Sequence, residues 1–242
     1  MAAGATVSIM LLAELEVWHS RPNTPTRRVA LGHLVLPVDP PPGFGGLLLG
    51  AVVAAHLDAV DADARPDLTR LIGEVGRGQR VLQPRLWHRY QVDRHGLARS
   101  IHRLVGIGED LTFEFDTRGN PLQQILGAVY AVERFDLPTR HAVSEVLRKA
   151  LRWNGPIGPS LLAYLAGVPT ARASSLGAML DPVAWALDVL GFPPGTIKPS
   201  KREVAAQFRT RLREVHPDHG GDRTTAHRSI GDLAEARRIL AH

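Results

Sequence analysis

Ser200-Lys-Arg-Glu-Val-Ala-Ala-Gln-Phe-Arg-Thr-Arg-Leu-Arg-Glu-Val-His-Pro-Asp-His-Gly-Gly221 is the stretch on which the reading of the C-terminal part turns. Ser200 and Glu203 stand three apart at its head. That is the Ser-x-x-Glu spacing of a capping box, in which hydroxyl and carboxylate each accept an orphan amide of the first turn. Behind them Val204, Phe208, Leu212 and Val215 recur at four, four and three residues, the single apolar stripe of a packed helix. Arg202, Gln207, Arg209 and Arg213 fall off the stripe, so the outer face is basic. Pro217 has no amide hydrogen and keeps the residue before it out of the helical region, so the helix has to stop at Val215. His216 then sits at the negative end of the helix dipole. Asp218 lies beyond the stop, on a loop that Gly220 and Gly221 leave free to bend.

Working outward, Asp181-Pro182 supplies an N-cap followed by proline at the first helical position. A helix through Trp185, Ala186, Leu187, Val189 and Leu190 is expected from there, closed by Gly191 as its C-cap. Pro193, Pro194 and Gly195 make a rigid turn before Ser200. Downstream, a third helix is expected from Thr224 to Ala241, with Ile230, Leu233, Ala234, Ala236 and Leu240 available to pack.

Residues 181–242 resemble the J-domain of the DnaJ co-chaperone family. The resemblance rests on Trp185-Ala-Leu-Asp-Val-Leu-Gly191, on Phe208 eight residues before His216 and Val204 twelve before it, and on Ile230-Gly-Asp-Leu-Ala-Glu-Ala-Arg-Arg-Ile-Leu240. The His216-Pro217-Asp218-His-Gly-Gly221 string is similar to the short-loop members of the family, such as the mitochondrial import-motor type. Two positions depart from the pattern: Arg211 stands where a core Leu is usual, its packing expected to fall to Leu212, and Arg237 replaces a common Tyr. The resemblance covers about a quarter of the chain. It implies a small all-α module, an antiparallel helical hairpin with a short first helix. It also implies a partner, a DnaK-class chaperone whose acidic surface receives Arg202, Arg209, Arg211 and Arg213 while Asp218 pairs with an arginine there. Docking would stimulate hydrolysis of ATP by that partner, so the chain itself would catalyse nothing and need no cofactor. The 242 residues hold no Gly/Phe-rich linker and no cysteine, so the resemblance does not extend to the client-binding domains of a full DnaJ.

Charge placement agrees with an acidic partner. Thr196 to His242 carries ten Lys/Arg against six Asp/Glu, whereas the preceding residues carry 19 against 18. The absence of cysteine excludes disulfides and thiolate metal sites and fits a reducing compartment. The apolar run Ser8–Ala13 has no basic residue before it and meets Glu14 and Glu16 at once, which does not read as a signal peptide. No membrane partner is expected, and a cytoplasmic location is. Two other functions fit these residue types less well. Arg209, Arg211 and Arg213 within three helices offer a nucleic-acid-binding reading, but a proline-terminated helix end puts nothing useful into a groove. His216, Asp218, His219 and Asp222 are possible metal ligands, but nothing in the pattern would orient the imidazoles.

Residues 1–175 read as a mixed α and β domain of unknown task, carrying the choice of an unidentified client. Strands are expected at 6–19, 28–38, 85–92 and 100–117, and helices at 47–60, 66–75, 121–134, 139–153 and 159–167. Gly167–Gly177 reads as a loop before the terminal module. Gly43-Phe-Gly-Gly46 lacks both the Gly-x-Gly-x-x-Gly spacing and a Gly-Lys-Ser/Thr ending, so it reads as a plain loop. Glu114 with Asp116 reads as an exposed strand face, and Trp87-His88-Arg89 as sheet surface and core.

Overall fold

The computed structural model describes residues 9–21, 27–80, 86–215 and 223–241, with the backbone alone at 223–228. The chain is mixed α and β, with a five-stranded sheet and ten α-helices among the described residues. It divides into two compact units, one of residues 1–107 and 112–166, the other of 108–111 and 167–242.

The first unit is built on the sheet. The strands of the sheet are β1 (Ile9–His19), β2 (Arg28–Val35), β3 (Arg89–Tyr90), β4 (Ala98–Ile107) and β5 (Asp110–Phe115, which belongs to this unit from Thr112 on), in the order β3-β2-β1-β4-β5. β1 lies in the middle, antiparallel to β2 and β4, and β3 adds at the edge parallel to β2. The alternation of β1 decides its two faces. Val17 points at α3 (Pro121–Ala131), where a Cβ on Gly127 would meet Val17 Cγ2 at 2.5 Å. Glu14, Glu16 and Trp18 take the other face.

Helices α1 (Gly43–Leu57), α2 (Arg65–Gly76), α3, α4 (Leu137–Ala150) and α5 (Pro159–Ala166) complete this unit. α1 is buried along almost its whole length, as a helix apolar on every side must be. It packs on α3, α4 and β1. Gly50 lets it come close to α4, since a Cβ there would stand 2.7 Å from Val146 Cγ1. Asn120 caps α3 and Asp136 caps α4, accepting from Leu122 N at 2.9 Å and Thr139 N at 3.2 Å. Each is followed by proline within the first two helical positions, which restricts the chain to helical φ at no cost in hydrogen bonds.

Several expectations are corrected here. The apolar segment 100–117 is not one strand but two, turned at Gly108 (φ 60°) and Glu109. The 85–92 strand shrinks to Arg89–Tyr90 among the described residues. Gly43-Phe-Gly-Gly46 is no loop. It forms the first turn of α1, where Gly45 passes so near Leu36 that a Cβ would stand 2.7 Å from its backbone.

The second unit is helical apart from residues 108–111. Its helices are α6 (Thr170–Ala173), α7 (Leu176–Leu180), α8 (Pro182–Val189), α9 (Lys201–Val215) and α10 (Arg223–Leu240). The segment 167–177, expected as a loop, thus carries α6 and the start of α7. Ser175 caps α7 by accepting from Ala178 N at 3.3 Å.

Candidate functional site

The caps of the second unit follow from local sequence. Asp181 accepts from Ala184 N at 3.0 Å and opens α8. Gly191, at φ 71°, closes it: Gly191 N donates to Asp188 O at 2.8 Å and Phe192 N to Leu187 O at 2.9 Å. This crossed pair of bonds is the Schellman arrangement, which needs a residue free to adopt the left-handed conformation. At the head of α9 the capping box forms in both directions. Glu203 N donates to Ser200 Oγ at 3.3 Å, and Ser200 N donates to Glu203 Oε2 at 2.7 Å. The two bonds from Ser200 hold the Glu203 carboxyl below its ordinary pKa.

α8, α9 and α10 share one core, formed by Ala186, Leu190, Val204, Leu233 and Ala236. Trp185, Val189, Phe192, Phe208, Val215, Ile239 and Leu240 pack around it. Val204, Phe208 and Val215 of the α9 stripe are therefore inward. Leu212 is half-buried and is not among the described side chains packed on this core. Ala234, expected inside, is exposed.

Of the proposed contact residues, Arg202, Arg209 and Arg213 project into solvent, and none forms an ion pair among the described residues. Arg211 differs. It is half-buried, its guanidinium lies against Gly191, and it pairs with Glu214 at 3.1 Å. The missing Cβ of Gly191 thus serves two purposes, the helix stop and the seat for Arg211. His216, Pro217 and Asp218 lie outside the described residues, as do His219 and Asp222 of the metal reading. α9 ends at Val215, immediately before them.

Two features escaped the sequence reading. The first is a cleft of about 610 Å³ in the second unit, lined by Glu109, Asp181, Asp188 and Asp232 beside Trp185. Two of those carboxylates serve the backbone, Asp181 as the α8 cap and Glu109 as acceptor from Gly177 N at 3.4 Å.

The second is a buried polar chain in the first unit. His19 Nε2 lies 2.9 Å from Ser100 Oγ, which donates to Arg118 O at 3.0 Å. Gln124 Nε2 donates to Ser100 Oγ at 3.3 Å and to Arg118 O at 3.1 Å. His102 Nε2 donates to Gln124 Oε1 at 2.9 Å, which leaves His102 Nδ1 buried without a partner among the described residues. His56 stands edge-on to His102 with ring centroids 5.3 Å apart. Burial lowers the pKa of all three histidines, that of His102 to about 4. A serine beside a histidine has the composition of a nucleophile and its base. Here Ser100, His102 and Gln124 are fully buried and His19 nearly so, so these groups do not meet solvent. The chain ties β1 and β4 to α3 and is structural. Asp116 and Arg118 in the covering loop form a bidentate pair, and that guanidinium holds the Asp116 carboxyl down at about 2.

Among the described residues no cluster of three or more His, Asp or Glu is arranged to hold a metal, and no helix is long and apolar enough to cross a membrane. No family model, curated protein or solved structure matches the chain.

Proposed function

We propose that the chain is a J-domain co-chaperone: its C-terminal module docks on a DnaK-class chaperone and stimulates that partner's ATP hydrolysis. One observation carries the reading. α9 turns Val204, Phe208 and Val215 onto α8 and α10, leaves Arg202, Arg209 and Arg213 in water without counter-charges among the described residues, and is described as far as Val215, next in sequence to His216-Pro217-Asp218. An unpaired cationic helix face steers and holds an acidic surface. The carboxylate of Asp218, three residues beyond Val215 in sequence, pairs with an arginine on the partner.

In this reading the chain performs no chemistry of its own and acts in the cytoplasm. The first unit selects the client or the site of action, and Arg211 supports α9 against Gly191 more than it contacts the partner. The test is single-turnover hydrolysis of ATP by a DnaK-class chaperone with and without the full chain. Wild type raises the rate, and His216→Gln, which keeps size and polarity, does not. Equal stimulation by both proteins, or none by wild type, overturns the reading.

A further inference from the structure

The face of the first unit's sheet turned away from the helices is strongly polarised. Val29 and Leu31 are buried on the helix side of β2, so Arg28 and Ala30 point the other way. Residues paired across strands share a face. Trp18 is in register with Ala30 on one side and with Arg99 on the other, and Arg28 is in register with Arg89. Trp18, Arg28, Arg89 and Arg99 therefore occupy one face at one end of the sheet. Tyr90, the next residue along β3, takes the opposite face, its ring 4.5 Å from that of Tyr130 in α3.

The loop after β3 adds to this end. Arg94 places its guanidinium 5.9 Å from the centre of the Trp18 ring, and Arg28 Nη2 donates to His95 O at 3.3 Å. Arg27, Arg89, Arg94 and Arg99 are exposed. With Arg28, none of them forms an ion pair among the described residues. Elsewhere in the same unit Arg70, Arg103, Arg118 and Arg148 each have a carboxylate. The imbalance is in the sequence too: residues 77–103 hold seven arginines against one acid, Asp93, and residues 20–28 hold three arginines and no acid.

Trp18 lies among these cations, and Trp87 precedes Arg89 by two residues. Trp18 is fixed on the sheet by donating its Nε1 hydrogen to Glu16 Oε1 at 2.5 Å. Trp87 is 88% exposed and follows Leu86, the two at φ 62° and 48°. Two successive large residues in the left-handed region are costly, and the result holds an indole in water two residues before Arg89 in sequence.

We propose that this end of the sheet binds single-stranded nucleic acid, its phosphates on Arg28, Arg89, Arg94 and Arg99 and its unpaired bases stacked on Trp18 and Trp87. Planar guanidiniums grip phosphate oxygens in pairs. Flat aromatic rings take any base whose face is free, which a duplex does not offer. The fixed, hydrogen-bonded Trp18 ring suits stacking and not insertion into a lipid surface. The site lies within the first unit and does not depend on the co-chaperone reading.

The test uses the full chain and a fluorescein-labelled single strand of about 20 nucleotides, spanning more than one such site. Anisotropy is read from about 50 to about 200 mM salt. Four neutralised phosphates at about 0.7 each give a log–log salt slope of about −3. Arg89→Glu with Arg99→Glu lowers affinity at least about tenfold and flattens the slope by about 1.4. Trp87→Ala, at an exposed side chain that leaves the fold untouched, lowers affinity at least about fivefold with the slope unchanged. Absence of binding, tighter binding of duplex, or retention on anionic vesicles alone overturns the proposal. So does loss of binding in Arg209→Glu with Arg213→Glu but not in the sheet variants.

Discussion

The guanidinium of Arg237 lies over the ring of Phe208, its central carbon 4.9 Å from the ring centroid. Phe208 belongs to the inward stripe of α9 and Arg237 to the exposed side of α10, so the contact closes the edge of the core that Val204, Leu233 and Ala236 begin. The two parts of the contact differ in weight. Removing a packed phenylalanine costs about 3 kcal/mol, at the low end for a half-buried ring, whereas an exposed cation over a ring adds about 0.5–1 kcal/mol. Phe208→Ala is therefore expected to release hydrogen exchange across both α9 and α10. Arg237→Gln should do so weakly, and the double variant should be no worse than Phe208→Ala alone. Equal effects of the two single variants would show that the charge, not the ring, holds the helices.

The cationic face of α9 should declare itself through salt. Arg202, Arg209 and Arg213 have no partners to lose among the described residues, so Arg209→Glu with Arg213→Glu leaves folding in place. On the co-chaperone reading, the same change slows association with an acidic partner by at least about tenfold at low ionic strength, and by much less where the Debye length falls to about 3 Å. Stimulation of the partner's ATPase, titrated at low and high salt, measures this. A defect that is independent of salt would place the effect elsewhere.

What could be read in advance was what local chemistry decides. Ser200 with Glu203, Asp181 before Pro182, and Gly191 after Leu190 are settled by neighbours three to five residues away, and each forms the bonds its spacing requires. The seat of Arg211 could not be read in advance because it is Gly191, twenty residues upstream, and nothing in the helical period announces a missing Cβ there. Gly43–Gly46 looked like a loop because glycine disfavours helix in isolation. Close approach to Leu36 and Val143 outweighs that preference. The His19–Ser100 pair joins positions 81 residues apart and needed the sheet register before it existed at all. The turn at Gly108 and Glu109 was hidden because alternation continues on both sides of it.

Gly119 is the point where the loop over that buried chain permits no side chain. It sits at φ 90°, and a Cβ would stand 2.7 Å from Gln124 Nε2 and from His19 Nε2, and closer still to His19 Cε1. Gly119→Ala meets two penalties. The left-handed conformation costs about 1–2 kcal/mol for an L-residue, and overpacking against two buried polar groups adds about 1–3 kcal/mol. A loss of about 2 kcal/mol or more in urea unfolding of the first unit is expected, while exchange in α9 and α10 stays as in wild type. A neutral substitution would mean that the loop is free to lift, and the chain would not be held shut.

The same histidines set an acid limit on the first unit. A His102 pKa of about 4 when folded, against about 6.5 unfolded, means that the unfolded chain binds the proton first. The contribution of neutral His102 is complete above pH 6.5 and is lost as pH falls from there toward 4. Over that window about 2.5 units at about 1.4 kcal/mol each give a loss on the order of 3 kcal/mol. His19 and His56, lowered in the same direction by burial, act with it. Asp116 works the other way round in charge but also fails in acid. Its carboxylate, held at about 2 by Arg118, contributes above its ordinary 3.8 and loses that only below it. The two windows are separable. Urea midpoints measured between pH 7.5 and 4.5 are expected to fall for wild type and to fall less for His102→Gln, which keeps a donor for Gln124 but cannot titrate. Asp116→Asn should change the midpoint by the same amount at both ends of that range. If His102→Gln retains the full slope, the proton is taken up elsewhere, and burial of this ring is not what limits the fold in acid.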